Sequence, residues 1–249
     1  MDFINAIILL SNFVIVPSIT YGSQLALGAI GVTLIYGVLR FANFAYGDLM
    51  AFGTMCVILF TWLLKSWGIS LGILPTALLA LPFGIVLTIG VSLFFDRTVF
   101  EYYRNKKSSP VTFIVVSLGI MFVLNAVVRI IIGPNDIVFM DGARFIISAV
   151  EFRETTGLLE GLTIKSTQVI TIITTSITCY LLFNFLNKTK TGKSMRAYSN
   201  NEDLALLSGI DPNRIILITW IIVSILATIG GTLYGLDKSF KPFTYFNNL

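Results

Sequence analysis

Asp48 heads the uncharged run Leu49–Leu64, with Gly47 beside it and Asn43 just upstream. A carboxylate in an apolar setting is a functional candidate by default, because burying its charge is costly. The preferred reading is plainer: Asp48 sits at a membrane interface as a helix-start residue, favoured by the positive end of the helix dipole. A direct role in transport ranks second. In a third reading, residues 41–48 form an unwound or half-helical segment at depth that lines a cavity, as in transporters with broken helices. Arg129 falls near the outer end of its own apolar run and is expected to snorkel to the interface, near the face opposite Asp48. Asn125, one turn earlier, is expected to hydrogen-bond a neighbouring helix, and Gly230-Gly231 to allow close helix packing.

Enzymatic readings fail on residue types. The chain has no histidine, which removes a Ser–His hydrolase. Carboxylates paired at catalytic spacing are missing from the apolar runs. Gly192-Lys193-Ser194 resembles the end of a phosphate-binding loop, but that motif needs a glycine five residues before its Gly-Lys pair, where this chain has Asn187. Cys56 and Cys179 both lie inside apolar runs, so neither a disulfide framework nor a Cys/His metal site is indicated. No cofactor or metal is expected.

The elements that must position these residues follow from composition. Of 249 residues, 55% are hydrophobic and only 12% charged, against about 25% charged in a soluble domain. The chain therefore reads as an all-α polytopic membrane protein, since its long runs do not alternate as barrel strands do. The net charge of +4 comes from loop lysines and arginines that orient spans, and no nucleic-acid partner is implied. Residues 3–39 carry no charge; as one helix they would reach ~55 Å, beyond the ~30 Å hydrocarbon core. Pro17 and Gly22 supply a break, giving expected spans 3–21 and 22–39. Further spans are expected at 49–64, 72–95, 111–132, 166–187 and 215–236. The start, MDFINAIILL, lacks the basic region of a cleaved signal and is expected to be retained.

Basic residues cluster at Arg40, in the 96–110 loop (Arg97, Arg104, Lys106, Lys107) and across 188–214. They alternate with the 65–71 turn and the acidic 133–165 segment, so the basic loops are expected in the cytoplasm, with seven spans and the N-terminus inside. Within 188–214, Ser199 or Asn200 can cap a short helix, followed by Glu202 and Asp203 where the dipole favours anions. Leu204 and Leu207, with Ala205 or Leu206, give it an apolar side. Gly209 supplies a left-handed stop, and Pro212 prevents continuation. Its exposed leucines need a partner: lipid, another part of the chain, or a separate protein.

Residues 26–53, ALGAIGVTLIYGVLRFANFAYGDLMAFG, resemble the signature of permease subunits of branched-chain amino-acid ABC importers. Arg196-Ala197, Ala205, Leu207, Gly209-Ile210 and Arg214 fall where that family has the same residues, and 96–104 and 117–135 match more loosely. Tyr46 stands where the family usually has histidine, and Glu101-Tyr102-Tyr103 also departs from it. The family continues some tens of residues further, so the chain is expected to be a single permease domain, 1–249, truncated at its C-terminal end.

The resemblance implies a bacterial inner-membrane subunit that pairs with a second permease and receives substrate from a periplasmic binding protein. It also implies docking on cytosolic ABC ATPase subunits through a coupling segment at 188–214, with Arg196, Ala197, Leu204, Ala205, Leu207, Gly209 and Ile210 as coupling residues. Asn43, Gly47 and Asp48 are the candidate pathway residues. Substrates of such relatives include branched-chain amino acids, other amino acids and urea or amides. The rival reading is a secondary transporter or channel for a small polar solute, which should carry an ionisable relay within its spans. A purely structural scaffold would need no helix at 199–209.

Overall fold

The structure is a computed structural model that describes residues 2–71, 74–133, 135–139, 145–158 and 160–241. The first residues expected of the 72–95 span, Asp141 and Arg144 of the acidic segment, and the tail beyond 241 lie outside the described residues. The chain opens with α1 (Asp2–Leu10), a π-helical turn (Ser11–Ile15) and α2 (Val16–Leu39). There follow α3 (Tyr46–Ser66), α4 (Ala77–Phe95), a second π-helical turn (Asp96–Phe100), α5 (Glu101–Asn105) and α6 (Pro110–Ile132). A short hairpin-like patch pairs β1 (Phe145–Ile147) antiparallel to β2 (Ile164–Lys165), with α7 (Ala149–Thr156) between them. The rest comprises α8 (Ser166–Lys188), α9 (Lys190–Asn200), α10 (Glu202–Leu207) and α11 (Pro212–Asp237). This is an all-α polytopic membrane fold.

Among the described residues six helices are long and apolar enough to cross a membrane, not seven. The break expected at Pro17 and Gly22 does not occur, and 3–39 runs as one helix. Pro17 falls in the first turn of α2, directly after the π turn. There the wider turn has already displaced the ladder, so a missing N–H breaks nothing. Gly22 has open space around it, and a helical glycine costs only about 1 kcal/mol relative to alanine. The far end of this long helix rests on the acidic segment: Asn12 donates to the Gly161 carbonyl at 2.8 Å and accepts from Thr163 N–H at 2.9 Å. The expectation that the N-terminus lies on the basic side is thereby corrected; it lies on the side of 160–163.

Two helices are interior. In α3 and α11, 72% and 67% of the most apolar window is buried, against 11–28% in the other four long helices. α11 packs on α2, α3 and α4, and α3 packs on α4 and α6. Without a hydrophobic drive between helices in lipid, close packing must hold them, and small residues permit it. A Cβ at Gly53 would lie 2.7 Å from Thr228 Oγ1 and 2.9 Å from Thr88 Oγ1, and one at Gly231 would lie 2.8 Å from the Met50 carbonyl. Ser92 and Ser224 share a hydrogen bond of 2.7 Å between α4 and α11. The outer helices turn bare side chains such as Phe122, Ile130 and Phe183 outward, as helices facing an apolar solvent do.

The basic loops converge. Arg40, Arg104, Lys107 and Glu202, which come from three separate loops, border one cavity. The opposite face gathers the ends of α6 and α11, where Lys241 and Asp136 pair at 2.9 Å and Ile137 bridges Phe240.

Candidate functional site

Two sites were expected, and the structure places each differently from the sequence. The first is the break between α2 and α3. Arg40 ends α2 in a left-handed conformation (φ 61°), its N–H on the Tyr36 carbonyl. Residues 41–45 are not helical. Asn43 closes the turn back into helix: its Oδ1 accepts from Ala45 N–H at 3.0 Å, and its carbonyl accepts from Tyr46 N–H at 3.4 Å. The Phe44 N–H is satisfied across the bundle by Ser117 Oγ at 3.2 Å. Phe41 stacks on Phe113 at 5.1 Å between ring centroids.

This break runs alongside α6 and rises with it, from Phe113 to Ser117 to Asn125. Asn125 Nδ2 donates to Asp48 Oδ1 at 2.8 Å. Asn125 is 15 residues beyond Pro110 (125 − 110) and seven before Ile132 (132 − 125), so Asp48 sits ~22 Å from one end of α6 and ~10 Å from the other. Asp48 is 1% exposed. The interfacial reading of Asp48 is therefore corrected: the helix starts at depth, with the carboxylate buried. Arg129, one turn beyond Asn125 and near the Ile132 end of α6, keeps its expected place close to the end of its span, and Asp48 is the residue that reaches towards it. Asn125 and Arg129 are one turn apart on α6, and that i, i+4 spacing was the signal available in the sequence for a shared polar face. Asp48 Oδ2 is buried with no hydrogen-bond partner among the described residues.

Tyr46 fixes the start of α3 against α2. It is 1% exposed, and a Cβ on Gly31 would collide with its hydroxyl. Gly47 is buried in the same turn. Of the three candidate pathway residues, Gly47 and Asp48 are thus buried together, whereas Asn43 is half-buried and occupied in the turn.

The second site is the polar island. It forms two helices, where the sequence suggested one at 199–209. Thr189 caps α9 by accepting from Gly192 N–H at 3.0 Å. Gly192 is needed for contact, not phosphate: a Cβ there would lie 2.6 Å from Leu186 Cα in the tight α8–α9 corner. The cap of α10 is Asn201, not Ser199 or Asn200; its Oδ1 accepts from Leu204 N–H at 3.1 Å. Ser199 is committed elsewhere, its hydroxyl on the Gly37 carbonyl at 2.7 Å and its own carbonyl on the Arg40 guanidinium at 2.9 Å. Gly209 does stop α10 in a left-handed conformation (φ 79°). Its N–H reaches the Leu206 carbonyl at 2.9 Å and Ile210 N–H the Ala205 carbonyl at 3.1 Å, the paired bonds of a Schellman stop.

The face of α10 is now defined. Ala205 packs inward with Val38, Met195, Tyr198 and Ile215, and Ile210 closes over that cluster. Leu204 is 61% exposed and Leu207 84%, with Leu206 beside them. Arg196 and Ala197 are exposed on α9. Five of the seven coupling candidates are thus available to a partner, and Ala205 and Ile210 instead hold the helix in place. Tyr198 donates to Glu202 Oε1 at 2.8 Å, tying α9 to α10. Burial first, and then the Glu202 carboxylate, push the Tyr198 hydroxyl above the ordinary tyrosine range, so it stays a donor at physiological pH.

Six spanning helices, a polar break buried at depth and a bare apolar turn outside the spans define an all-α polytopic membrane protein. The chain belongs to the family described as branched-chain amino acid transport system / permease component, whose model matches residues 14–248. The high-affinity branched-chain amino acid transport system permease protein LivH of Escherichia coli (strain K12) is 26% identical over 221 residues, 87% of this chain and 68% of the relative. The corresponding permease protein BraD of Pseudomonas aeruginosa is 25% identical over 232 residues, 90% of this chain and 70% of the relative. A probable branched-chain amino acid transport permease protein LivH of Methanocaldococcus jannaschii is 28% identical, covering 91% and 67%. No solved structure gives a significant match. The protein is a multi-pass inner-membrane permease of the ABC transporter class.

Proposed function

We propose that this permease is the membrane subunit of an ATP-driven importer for branched-chain or related amino acids. In this reading α10 docks on a cytosolic ATPase, a second permease completes the pathway, and a periplasmic binding protein delivers the substrate. The observation that carries it is α10 itself. A six-residue helix held by an asparagine cap and a Schellman stop presents Leu204, Leu206 and Leu207 bare, outside every spanning helix. Exposed apolar residues clustered on a rigid turn mark an interaction surface. The chain's basic loops, α10 among them, belong on the cytoplasmic side by the lysine–arginine rule. In this reading the energy comes from ATP hydrolysis by the partner ATPase, in keeping with a sequence that offers no phosphate-binding loop of its own.

Leu207→Asp tests this. A charge pushed into an apolar contact with no counter-charge costs several kcal/mol of binding. The variant is expected to insert and purify normally, because Leu207 touches no span, while losing ATPase co-purification and substrate uptake. Retention of both would show that α10 is not the coupling element.

The buried break at 41–48 is the proposed gate region of the pathway, with Asn43, Gly47 and Asp48 as its residues. Its support is an ionisable side chain at depth where a helix start interrupts the bundle, the arrangement that transporters with broken helices use for substrate sites.

A further inference from the structure

We infer that the cavity on the basic face is a binding site for the phosphate of an anionic phospholipid headgroup. The cavity has a volume of about 330 Å³, within the ~300–1,000 Å³ of ordinary ligand sites. Its rim carries Arg40, from the end of α2, and Arg104 and Lys107, from the loop before α6. Its inner wall is apolar, with Phe41, Phe113, Val38 and Ile216. A cationic rim above an apolar wall at the ends of spanning helices matches a lipid, whose phosphate lies at the interface and whose glycerol and first methylenes lie below it. Basic pockets between spanning helices on the cytoplasmic side bind anionic headgroups for this reason.

The charges leave a net positive rim. Among the described residues Glu202 is the one carboxylate lining the cavity, and it already accepts the Tyr198 hydroxyl. Arg104 is paired with Asp96 at 3.1 Å. Arg40 gives one N–H to the Ser199 carbonyl, from a guanidinium that has five to give. Lys107 has no ion pair among the described residues, and its left-handed backbone (φ 51°) brings it to the rim beside Ser108. Three cations against Glu202, with Asp96 behind Arg104, make room for one more negative group.

The experiment uses the full-length chain in nanodiscs and in detergent with defined lipid. Arg40→Asn with Lys107→Asn removes two cations while keeping side chains that tolerate left-handed backbone. The matched control, Arg97→Gln with Lys106→Gln, removes two cations from the same loop that do not line the cavity. Phosphatidylglycerol adducts counted by native mass spectrometry, with phosphatidylcholine as the neutral comparison, give the affinity. The cavity double variant is expected to bind phosphatidylglycerol about 25-fold more weakly, at ~1 kcal/mol for each cation and tenfold per 1.4 kcal/mol. The control should bind as the native chain does. Ser108→Glu, which adds an anion at the rim and removes nothing, should weaken binding as well. Equal affinity for the two lipids, or phosphatidylglycerol binding unchanged in both cavity variants, overturns the inference. Stabilisation by inorganic phosphate alone, lost in the cavity variants, would overturn the lipid assignment in favour of a free anion.

Discussion

The break at 41–45 and the island that carries α10 both use an asparagine side chain to start the helix that follows. Asn43 Oδ1 holds Ala45 N–H at 3.0 Å and Asn201 Oδ1 holds Leu204 N–H at 3.1 Å. Beyond that the two regions are opposites. The first is packed: Phe41, Ala45, Tyr46 and Asp48 are all under 5% exposed, and its loose N–H at Phe44 is answered by Ser117 of another helix. The second leaves Leu207 84% exposed while satisfying its backbone by itself. The difference follows from solvent. Inside a membrane a broken helix survives only where other helices satisfy its freed groups. At the water face a short helix can close its own ends, and what remains unsatisfied is apolar area. One region therefore depends on its neighbours within the chain, and the other on something outside it.

The largest effect should come from the buried region. Asp48→Leu takes away the acceptor of Asn125 and leaves that amide buried without its partner, so it should destabilise the protein by ~2–3 kcal/mol. Denaturation in mild detergent would read that loss. Asp48→Asn keeps an acceptor oxygen for Asn125 and removes only the charge. If the break belongs to the pathway, Asp48→Asn should assemble with its ATPase and fail to import. Normal import by that variant would reduce Asp48 to a packing role, and the two regions would then differ in burial but not in function.

Next in size is the contact that seats α3 on α2. Gly31→Ala puts a methyl into the Tyr46 hydroxyl, and overpacking of this kind costs ~1–3 kcal/mol. Gly31→Ala combined with Tyr46→Phe removes the first atom the methyl meets and should recover part of the loss in the same denaturation experiment. An undiminished Gly31→Ala protein would mean that the two helices can separate at little cost and that the break is not rigidly held.

How much of this was readable differs between the two regions for a physical reason. Span positions follow from runs of residues that water would not accept, and the long helices lie near where charge-free runs put them. Pro17 misled because a π turn placed it at the start of a helical register, which only hydrogen-bond geometry reveals. The depth of Asp48 depends on how far α3 slides along α6, a tertiary quantity that no local pattern encodes. The only hint was Asn125 and Arg129 at i, i+4 spacing in an otherwise apolar run. In the island, by contrast, the stop at Gly209 was legible because positive φ selects glycine. The cap was misplaced by one or two positions because Ser199, Asn200 and Asn201 are all capable, and the choice fell to Gly37, which engages Ser199 from another helix.

The smallest effect sharpens the comparison most, because it touches the exposed turn without touching its leucines. Asn201→Ala removes one cap bond, worth about 1 kcal/mol. The fold should not notice: α9 keeps its Thr189 cap, α11 keeps Asp211 on Asn213 N–H, and Ala205 stays under Tyr198. What changes is the fraction of molecules in which Leu204 and Leu207 are held in a helix. If docking requires that helix, ATPase affinity should fall about fivefold, at tenfold per 1.4 kcal/mol. Faster hydrogen exchange confined to α10 should accompany the loss. Asn201→Ser, which restores an acceptor at the cap, should recover both. A binding loss that Asn201→Ser fails to repair would mean that the Asn201 side chain itself meets the partner, and the exposed region would then be read by its polar edge as well as its leucines.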